Sequence, residues 1–221
     1  MKDYGIFDVM GPIMIGPSSS HTAGAARLAR LAAKISGKDF EEVTFYLHGS
    51  FAKTYLGHGT DKALVAGVMG MLPDDDNLPY SHEIARKKGL KYSFVETDLG
   101  DVHPNSVKIV MKYPTGRIAS VTGSSIGGGN IKIIDIDGLK LDFTNDFPTI
   151  VLKYGEQKGI ISFVSTILAE SGYNIEKMIT DKSDDMVTLL VEVSEEPSEE
   201  ILDKILNDKR FAITKFIQGG Y

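Results

Sequence analysis

The sequence predicts an α+β protein of two domains, a mixed α/β domain at residues 1–146 and a βαββαβ domain at residues 147–221. Hydrophobic spacing alternates along the chain between the two-residue period of strands and the longer period of helices. The charge balance shifts near Phe147, because residues 147–221 carry 8 Lys or Arg against 13 Asp or Glu, whereas the preceding part carries 16 against 17. The first part also contains all the histidines, which are His21, His48, His58, His82 and His103.

The N-terminal domain is predicted to contain three helices and six strands. The first helix is rich in Ala, Leu and Arg and follows a Ser/Thr cluster suited to capping, and Thr60 and Asp61 open the second. Turn residues at 114–117 and at Asp137-Gly138 separate neighbouring strands. The helices are predicted at residues 22–35, 60–72 and 81–88, and the strands at 43–48, 92–96, 106–113, 117–122, 131–136 and 139–143.

The C-terminal domain has a clear element order. A β-branched strand at 149–154 precedes a helix whose apolar residues recur at i, i+3, i+4, i+7 and i+8 from Ile160, and Gly172 follows that helix. Two strands surround a polar turn at 181–185, a helix opens after Pro197, and a last strand closes the domain. These strands are predicted at 174–180, 186–193 and 211–218. The resulting βαββαβ order is that of a ferredoxin-like unit.

Composition excludes several classes of function. The 221 residues include 24 Lys or Arg and 30 Asp or Glu, and the net charge of −6 argues against nucleic acid or an anionic membrane surface as partner. No apolar run approaches the ~18 residues of a membrane helix. The first residues lack the basic-then-apolar order of a signal peptide, so a cytoplasmic location is expected. Because the sequence contains no cysteine, this chain has no disulfide framework, thiolate zinc site, cysteine nucleophile or ligands for an iron–sulfur cluster.

The segment Gly16-Pro-Ser-Ser-Ser-His-Thr22 immediately precedes the first helix. Free backbone N–H groups and the positive end of a helix dipole, beside the hydroxyls of Ser18, Ser19, Ser20 and Thr22, suit a carboxylate or phosphate. His21 would stand at the rim, able to exchange a proton near neutral pH. The same residues also fit an N-cap with more hydroxyl groups than capping requires.

A second segment places His58 between Gly57 and Gly59, just before the helix that Thr60 and Asp61 open. Flanking glycines offer a histidine little to pack against, but they allow close approach of a ligand. Asp61 is a candidate to orient the imidazole; the alternative is a loop histidine beside a first-turn charge. His48, at a strand end, is expected to make a structural hydrogen bond.

Two further segments carry weaker signals. Ser124 and Ser125 precede three consecutive glycines, which permit either backbone N–H groups facing an anion or a wide β-turn. The spacing matches neither a Walker A loop nor a dinucleotide fingerprint. His103, before a proline, is expected in an extended turn. In the C-terminal domain, the loops containing Gly155, Gln157, Gly159 and Asn174 could bind a small amino acid at an interface, or the glycines are simply turn residues.

Taken in order, Gly16-Pro-Ser-Ser-Ser-His-Thr22, Gly57-His-Gly-Thr-Asp61, His103-Pro-Asn105 and Ser124-Ser-Ile-Gly-Gly-Gly129 resemble the β subunits of bacterial iron–sulfur-dependent L-serine dehydratases. The tail resembles an ACT domain, although its loop, Tyr154-Gly-Glu-Gln-Lys-Gly159, lacks the proline usual there. The resemblance implies an N-terminal fold similar to the allosteric substrate-binding domain of phosphoglycerate dehydrogenases. It also implies an α region, fused or separate, whose cysteines hold a 4Fe–4S cluster.

Because this chain has no cysteine, the resemblance implies the two-chain form, in which a cysteine-bearing α subunit supplies the cluster and its open iron position acts as a Lewis acid. The implied reaction converts L-serine to pyruvate and ammonia at the α/β interface. His58 is the first candidate for the base that removes the Cα proton and His21 the second. The implied substrate-binding residues are Ser18, Ser19, Ser20, Thr22, Asp61, Ser124 and Ser125.

The ACT resemblance implies effector binding near Gly155, Gln157, Gly159 and Asn174, and homo-oligomerisation through that domain. Two alternatives remain for the whole chain. In one, it is a non-catalytic amino-acid sensor that binds serine only as an effector. In the other, it is a purely structural assembly subunit.

Overall fold

The computed structural model describes residues 12–183 and 185–220 and shows an α+β chain with two separate sheets. The chain divides into two compact units, Met1–Thr144 and Asn145–Tyr221. Residues 1–11, on which the expectation about a signal peptide depends, lie outside the described residues. In the described part of the chain, no helix is long and apolar enough to cross a membrane.

The first unit is built on a six-stranded sheet with the order β2-β1-β3-β4-β5-β6. β1 and β2 are parallel, and the other neighbours are antiparallel. All six predicted strands are present, but β4 continues past its predicted end, so Ser124 and Ser125 lie in a strand and not in a loop. The strands are β1 (Glu42–Leu47), β2 (Lys91–Glu96), β3 (Ser106–Lys112), β4 (Ile118–Gly127), β5 (Asn130–Ile136) and β6 (Leu139–Phe143).

Four α-helices lie in the part of this unit that the structure describes, and the three predicted ones are all present. A π-helical turn, Ser19–Gly24, runs directly into the first helix, and a 3₁₀ turn, Leu78–Tyr80, precedes the fourth. The second helix was not predicted, because its six residues are too few to show a helical period. The helices are α1 (Ala25–Ser36), α2 (Gly49–Thr54), α3 (Thr60–Val68) and α4 (Ser81–Lys87).

The core of the unit lies between helix α1 and one face of the sheet. Phe45, Ile109 and Val121 are cross-strand neighbours on that face, and all three are buried. Leu28 of α1 lies so close to Gly123 of β4 that a Cβ there would be 2.5 Å from Leu28 Cδ1. Fully burying a side chain of this size contributes about 1.5–3 kcal/mol. The small strand residue therefore lets α1 pack tightly over β4.

The second unit confirms the predicted βαββαβ order, on a fully antiparallel sheet with the strand order β10-β7-β9-β8. Ile160, Val164 and Leu168 are buried at helical spacing and pack with the apolar strand residues. Asn145 and Gly220 join the two ends of the unit through reciprocal hydrogen bonds. The elements are β7 (Thr149–Gly155), α5 (Ile160–Glu170), β8 (Ile175–Ser183), β9 (Met186–Val193), α6 (Glu199–Leu206) and β10 (Phe211–Ile217).

Candidate active site

The segments Gly16–Thr22 and Gly57–Asp61 meet at the start of the π-helical turn. Thr22 Oγ1 donates a hydrogen bond to the backbone carbonyl of His58 over 3.2 Å. His21 Nε2 lies 3.1 Å from Ser50 Oγ on helix α2. The rings of His21 and His58 are 4.9 Å apart between centroids. Two histidines separated by 37 positions are therefore neighbours.

The other two segments, His103–Asn105 and Ser124–Gly129, contact the same region. The backbone N–H of Ser50 donates to Pro104 O over 2.8 Å, and that of Ser125 donates to Asn105 O over 2.9 Å. Ser125 in turn lies against Gly24, where an added Cβ would collide with its hydroxyl. All four segments thus lie around one end of the first sheet, where β1 ends and β3 begins.

The π-helical turn has its own cap. Ser18 is extended and its Oγ accepts a hydrogen bond from the backbone N–H of His21 over 3.1 Å. Ser19 and Ser20, which follow in the first turn, are half-buried and face no recorded side-chain partner within the described residues. A π-turn widens the helix, a feature that recurs at functional sites. This geometry leaves Ser19 and Ser20 as the hydroxyls most available to a ligand.

His21 is held on both sides of its ring. Nδ1 lies 3.5 Å from Ser18 Oγ, opposite the Nε2 contact with Ser50, and the edge of Phe51 packs against the ring. Burial lowers the pKa of His21 below its ordinary value of 6.5, and the nearby charge of His58 lowers that pKa further. The ring is therefore uncharged at neutral pH and fixed in orientation.

This lowered pKa predicts a pH dependence of stability. Below pH 6.5 the unfolded chain binds a proton at His21 that the folded chain resists, so the free energy of unfolding falls as the pH decreases from 6.5 toward the folded pKa. A His21→Asn variant is expected to lose less stability over that interval than the wild type. Thermal unfolding at a series of pH values measures both slopes, and identical slopes would contradict the assignment.

His58 is exposed on a turn between α2 and α3. Its backbone N–H donates to Thr54 O over 3.1 Å, and Gly59 next to it adopts a left-handed conformation with a φ of 69°. No hydrogen bond to its ring nitrogens is recorded among the residues that the structure describes. The imidazole is thus exposed beside the ring of His21.

Asp61 does not orient His58. Its carboxylate is only 5% exposed, and its recorded ion-pair contact is with His82, whose Nε2 lies 3.5 Å from Asp61 Oδ2. The sequence offered no sign of this pair, because His82 stands in an ordinary helix start 21 positions away. Asp61, predicted as a substrate-binding residue, is located beneath the His58 turn.

Ser124 and Ser125 are both buried in β4. Ser124 Oγ lies 2.7 Å from Ser106 Oγ, which donates to the carbonyl of His103. Ser125 Oγ is buried and has no hydrogen-bond partner among the described residues. The glycines that follow form the hairpin to β5, and all three have positive φ: Gly127, Gly128 and Gly129. Through Ser125, this part of β4 packs against Gly24 at the end of the π-helical turn.

The other two predicted histidine environments are confirmed. His48 Nδ1 accepts a hydrogen bond from the backbone N–H of Leu99 over 3.1 Å, which is the expected structural contact. His103 lies in a turn, where its Nδ1 accepts from the backbone N–H of Asn105. Ser50 and Phe51, which contact His21, were missed in the sequence because helix α2 was not predicted. A serine two residues after His48 was the only available signal.

The candidate effector residues of the second unit make local contacts. Gln157 Nε2 donates to Gly155 O over 3.4 Å, and Gly159 precedes α5 with a φ of 89°. Asn174 Nδ2 donates to Glu176 Oε1, and the backbone carbonyl of Asn174 accepts from the backbone N–H of Ser194. These hydrogen bonds stabilise the loops locally and do not indicate a ligand.

Neither the sequence nor the described residues provide ligands for an iron–sulfur cluster. The chain has no cysteine, and among residues 12–183 and 185–220 no group of three or more His, Asp or Glu side chains could hold a metal ion. The cysteine ligands of the cluster that the resemblance implies are therefore absent from this chain.

Comparisons with known proteins agree on one family. Residues 5–135 match the family model described as serine dehydratase beta chain. The L-serine dehydratase beta chain of Peptoniphilus asaccharolyticus is 50% identical over 99% of this chain and all of that protein. A probable L-serine dehydratase beta chain of Bacillus subtilis (strain 168) is 37% identical over 93% of this chain and 94% of its own. L-serine dehydratase 2 of Escherichia coli (strain K12) is 31% identical, over 57% of this chain and 32% of the longer protein. The chain therefore belongs to the serine dehydratase beta chain family.

Proposed function

We propose that the chain is one subunit of a two-chain L-serine dehydratase and contributes part of an active site that a partner subunit completes. The observation that carries the proposal is the convergence of His21, His58 and the Ser18–Ser20 helix start, with His58 exposed. The two relatives that match over nearly their full length are both named beta chains, which supports a separate partner. The enzyme converts L-serine to pyruvate and ammonia.

The helix start binds the substrate carboxylate in this proposal. The first turn of a helix has backbone N–H groups without intrahelical partners, and the helix dipole favours an anion there. Ser19 and Ser20 add hydroxyl donors, whereas Ser18 and Thr22 maintain the geometry through His21 N and His58 O. Ser124 and Ser125 contribute indirectly, because Ser125 packs against Gly24 and so helps to position the helix start.

His58 accepts the Cα proton of L-serine. The electron pair of the Cα–H bond forms the Cα–Cβ double bond as the Cβ–O bond breaks, and the hydroxyl leaves as water with the proton that His58 received. The resulting enamine tautomerises to an imine that water hydrolyses to pyruvate and ammonia. General base catalysis of this kind typically contributes about 10²- to 10⁴-fold. His21 is the second candidate for the base, but both of its ring nitrogens face hydroxyls of this chain. Its fixed, uncharged ring is better suited to holding Ser50 and limiting the motion of His58.

Because this chain has no cysteine to hold a cluster, we place the 4Fe–4S cluster on a cysteine-bearing α subunit, where it would supply a Lewis acid. We also propose that the first unit shares the fold of the phosphoglycerate dehydrogenase allosteric substrate-binding domain and that the second is an ACT domain. The βαββαβ order and antiparallel sheet support the second assignment. Effector binding near Gly155, Gln157, Gly159 and Asn174, and homo-oligomerisation through this unit, belong to the same proposal.

The alternative is a non-catalytic serine sensor, which the second unit favours through its element order. Calorimetry of L-serine with the full chain distinguishes the two. The catalytic proposal predicts no saturable heat from the chain alone, because half of the site lies on the partner, or a weak heat that Ser19→Ala/Ser20→Ala removes. Saturable binding that this double variant leaves unchanged and that Asn174→Ala abolishes would identify the chain as a sensor.

A further inference from the structure

A cluster of unsatisfied polar atoms lies beneath the turn that carries His58. Six buried side-chain atoms of the described residues lack a hydrogen-bond partner, and three of them are Thr60 Oγ1, Asp61 Oδ1 and His82 Nε2. The 3.5 Å between His82 Nε2 and Asp61 Oδ2 is an ion-pair distance, although its geometry does not meet that of a hydrogen bond. Buried polar groups in native proteins are rarely unpaired without a reason. Three such atoms on residues 60, 61 and 82 therefore call for a physical explanation.

The Asp61 carboxylate depends on His82. A buried carboxylate without a polar partner is strongly unfavourable, and within the described residues the His82 imidazole is the group that faces it, at 3.5 Å from Asp61 Oδ2. The His82 ring is itself fixed, because it packs on Tyr92 and Phe94 with centroid distances of 5.2 and 6.4 Å. Ser81, its neighbour, donates a hydrogen bond from Oγ to the carbonyl of Lys62 over 2.8 Å. The start of α4 thus holds the start of α3 at two adjacent positions.

The start of α3 in turn closes the His58 turn. The backbone N–H groups of Thr60 and Asp61 both point to Tyr55 O, at 2.9 and 3.4 Å, and the Tyr55 ring lies 5.5 Å from Phe94. Between these anchors, Gly59 has nothing within 4 Å of an added Cβ. The middle of the turn is contacted by Thr22, whose hydroxyl donates to the His58 carbonyl, and by the His21 ring, so the rest of its position depends on its two ends. His82 and Asp61 hold one end, and the same aromatic cluster holds the other.

We infer that His82 is a positioning residue, which acts through the Asp61 carboxylate to fix the turn that presents His58. The inference rests on the proposed function only in its consequence for catalysis, because the positioning itself is a property of this chain. It assigns Asp61 to the support of the turn and gives a role to a histidine that the mechanism does not otherwise use.

Three variants test the coupling in the reconstituted two-chain enzyme. His82→Phe keeps the ring packing on Tyr92 and removes the polar atoms, Asp61→Asn keeps the shape and removes the charge, and the double variant removes both. Each single variant is expected to lower kcat by up to about 100-fold, the loss that a 1 Å misplacement of a catalytic group causes. KM should stay within about twofold of the wild-type value. The double variant should be no worse than either single one, because coupled residues are not additive. His82→Gln, which restores a donor, should recover part of kcat, and Glu83→Gln, an exposed neighbour, should match the wild type.

A second readout is independent of activity. Hydrogen exchange of residues 55–61 in the full chain should be faster in His82→Phe and Asp61→Asn than in the wild type and in Glu83→Gln. If His82→Phe fails to fold, Asp61→Asn, which leaves no buried charge, carries the same comparison. Faster exchange with unchanged kcat would preserve the positioning role and reject His58 as the base. Unchanged exchange in folded variants, or fully additive losses of kcat, would overturn the inference.

Discussion

Replacement of His58 by alanine is expected to lower the turnover of L-serine by about 10²- to 10⁴-fold in the two-chain enzyme. The loss follows from removal of the base that takes the Cα proton. The fold should be unaffected, since the side chain is exposed and the hydrogen bond from Thr22 goes to the backbone carbonyl of residue 58. Assembly with the partner and the iron content of the complex should therefore equal those of the wild type.

Steady-state kinetics of the purified complex measures this effect. Lys53→Ala, at an exposed position on the preceding helix, is the matched control and should retain wild-type turnover. His21→Ala separates the two candidate bases. Turnover near the wild-type value in His58→Ala, together with a severe loss in His21→Ala, would transfer the role of the base to His21.

Secondary structure was largely predictable because most elements carry a strong local pattern. The alternating burial of β1 and the spacing of Ile160, Val164 and Leu168 in α5 are examples that periodicity reveals directly. Helix α2 was not, since six residues are fewer than two helical turns. The extension of β4 was not either, because Ser124, Ser125 and the following glycines have low strand propensity and pair with β5 only through the tertiary fold.

Most members of the candidate site were predictable, whereas Ser50, Phe51 and the arrangement of the site were not. The histidines and serines stood out by composition, and the resemblance to a family grouped their segments. That Asp61 faces His82 and not His58 depends on the packing of α4 against α3, which spans 21 positions of sequence. The burial of Ser125 against Gly24 is likewise a long-range contact. Such contacts come from the whole fold, so local sequence patterns do not contain them.

The second large effect is the loss of activity that we expect when either subunit is assayed without the other. If this chain supplies the base and the carboxylate site, a cysteine-bearing partner alone has the cluster without the groups that orient and deprotonate the substrate. This chain alone, which has no cysteine, has those groups without the cluster. Neither subunit by itself should therefore convert L-serine at a rate near that of the complex. A chain that served only as a sensor or scaffold would instead leave substantial activity on the partner.

The most direct measurement is pyruvate formation from L-serine while this chain is titrated into a fixed amount of the anaerobically prepared partner. The account predicts a baseline rate from either subunit alone and a rise that saturates at a fixed subunit ratio. It also predicts that His58→Ala saturates at the same ratio with a rate about 10²- to 10⁴-fold lower. Full activity of the partner before any of this chain is added would contradict shared catalysis.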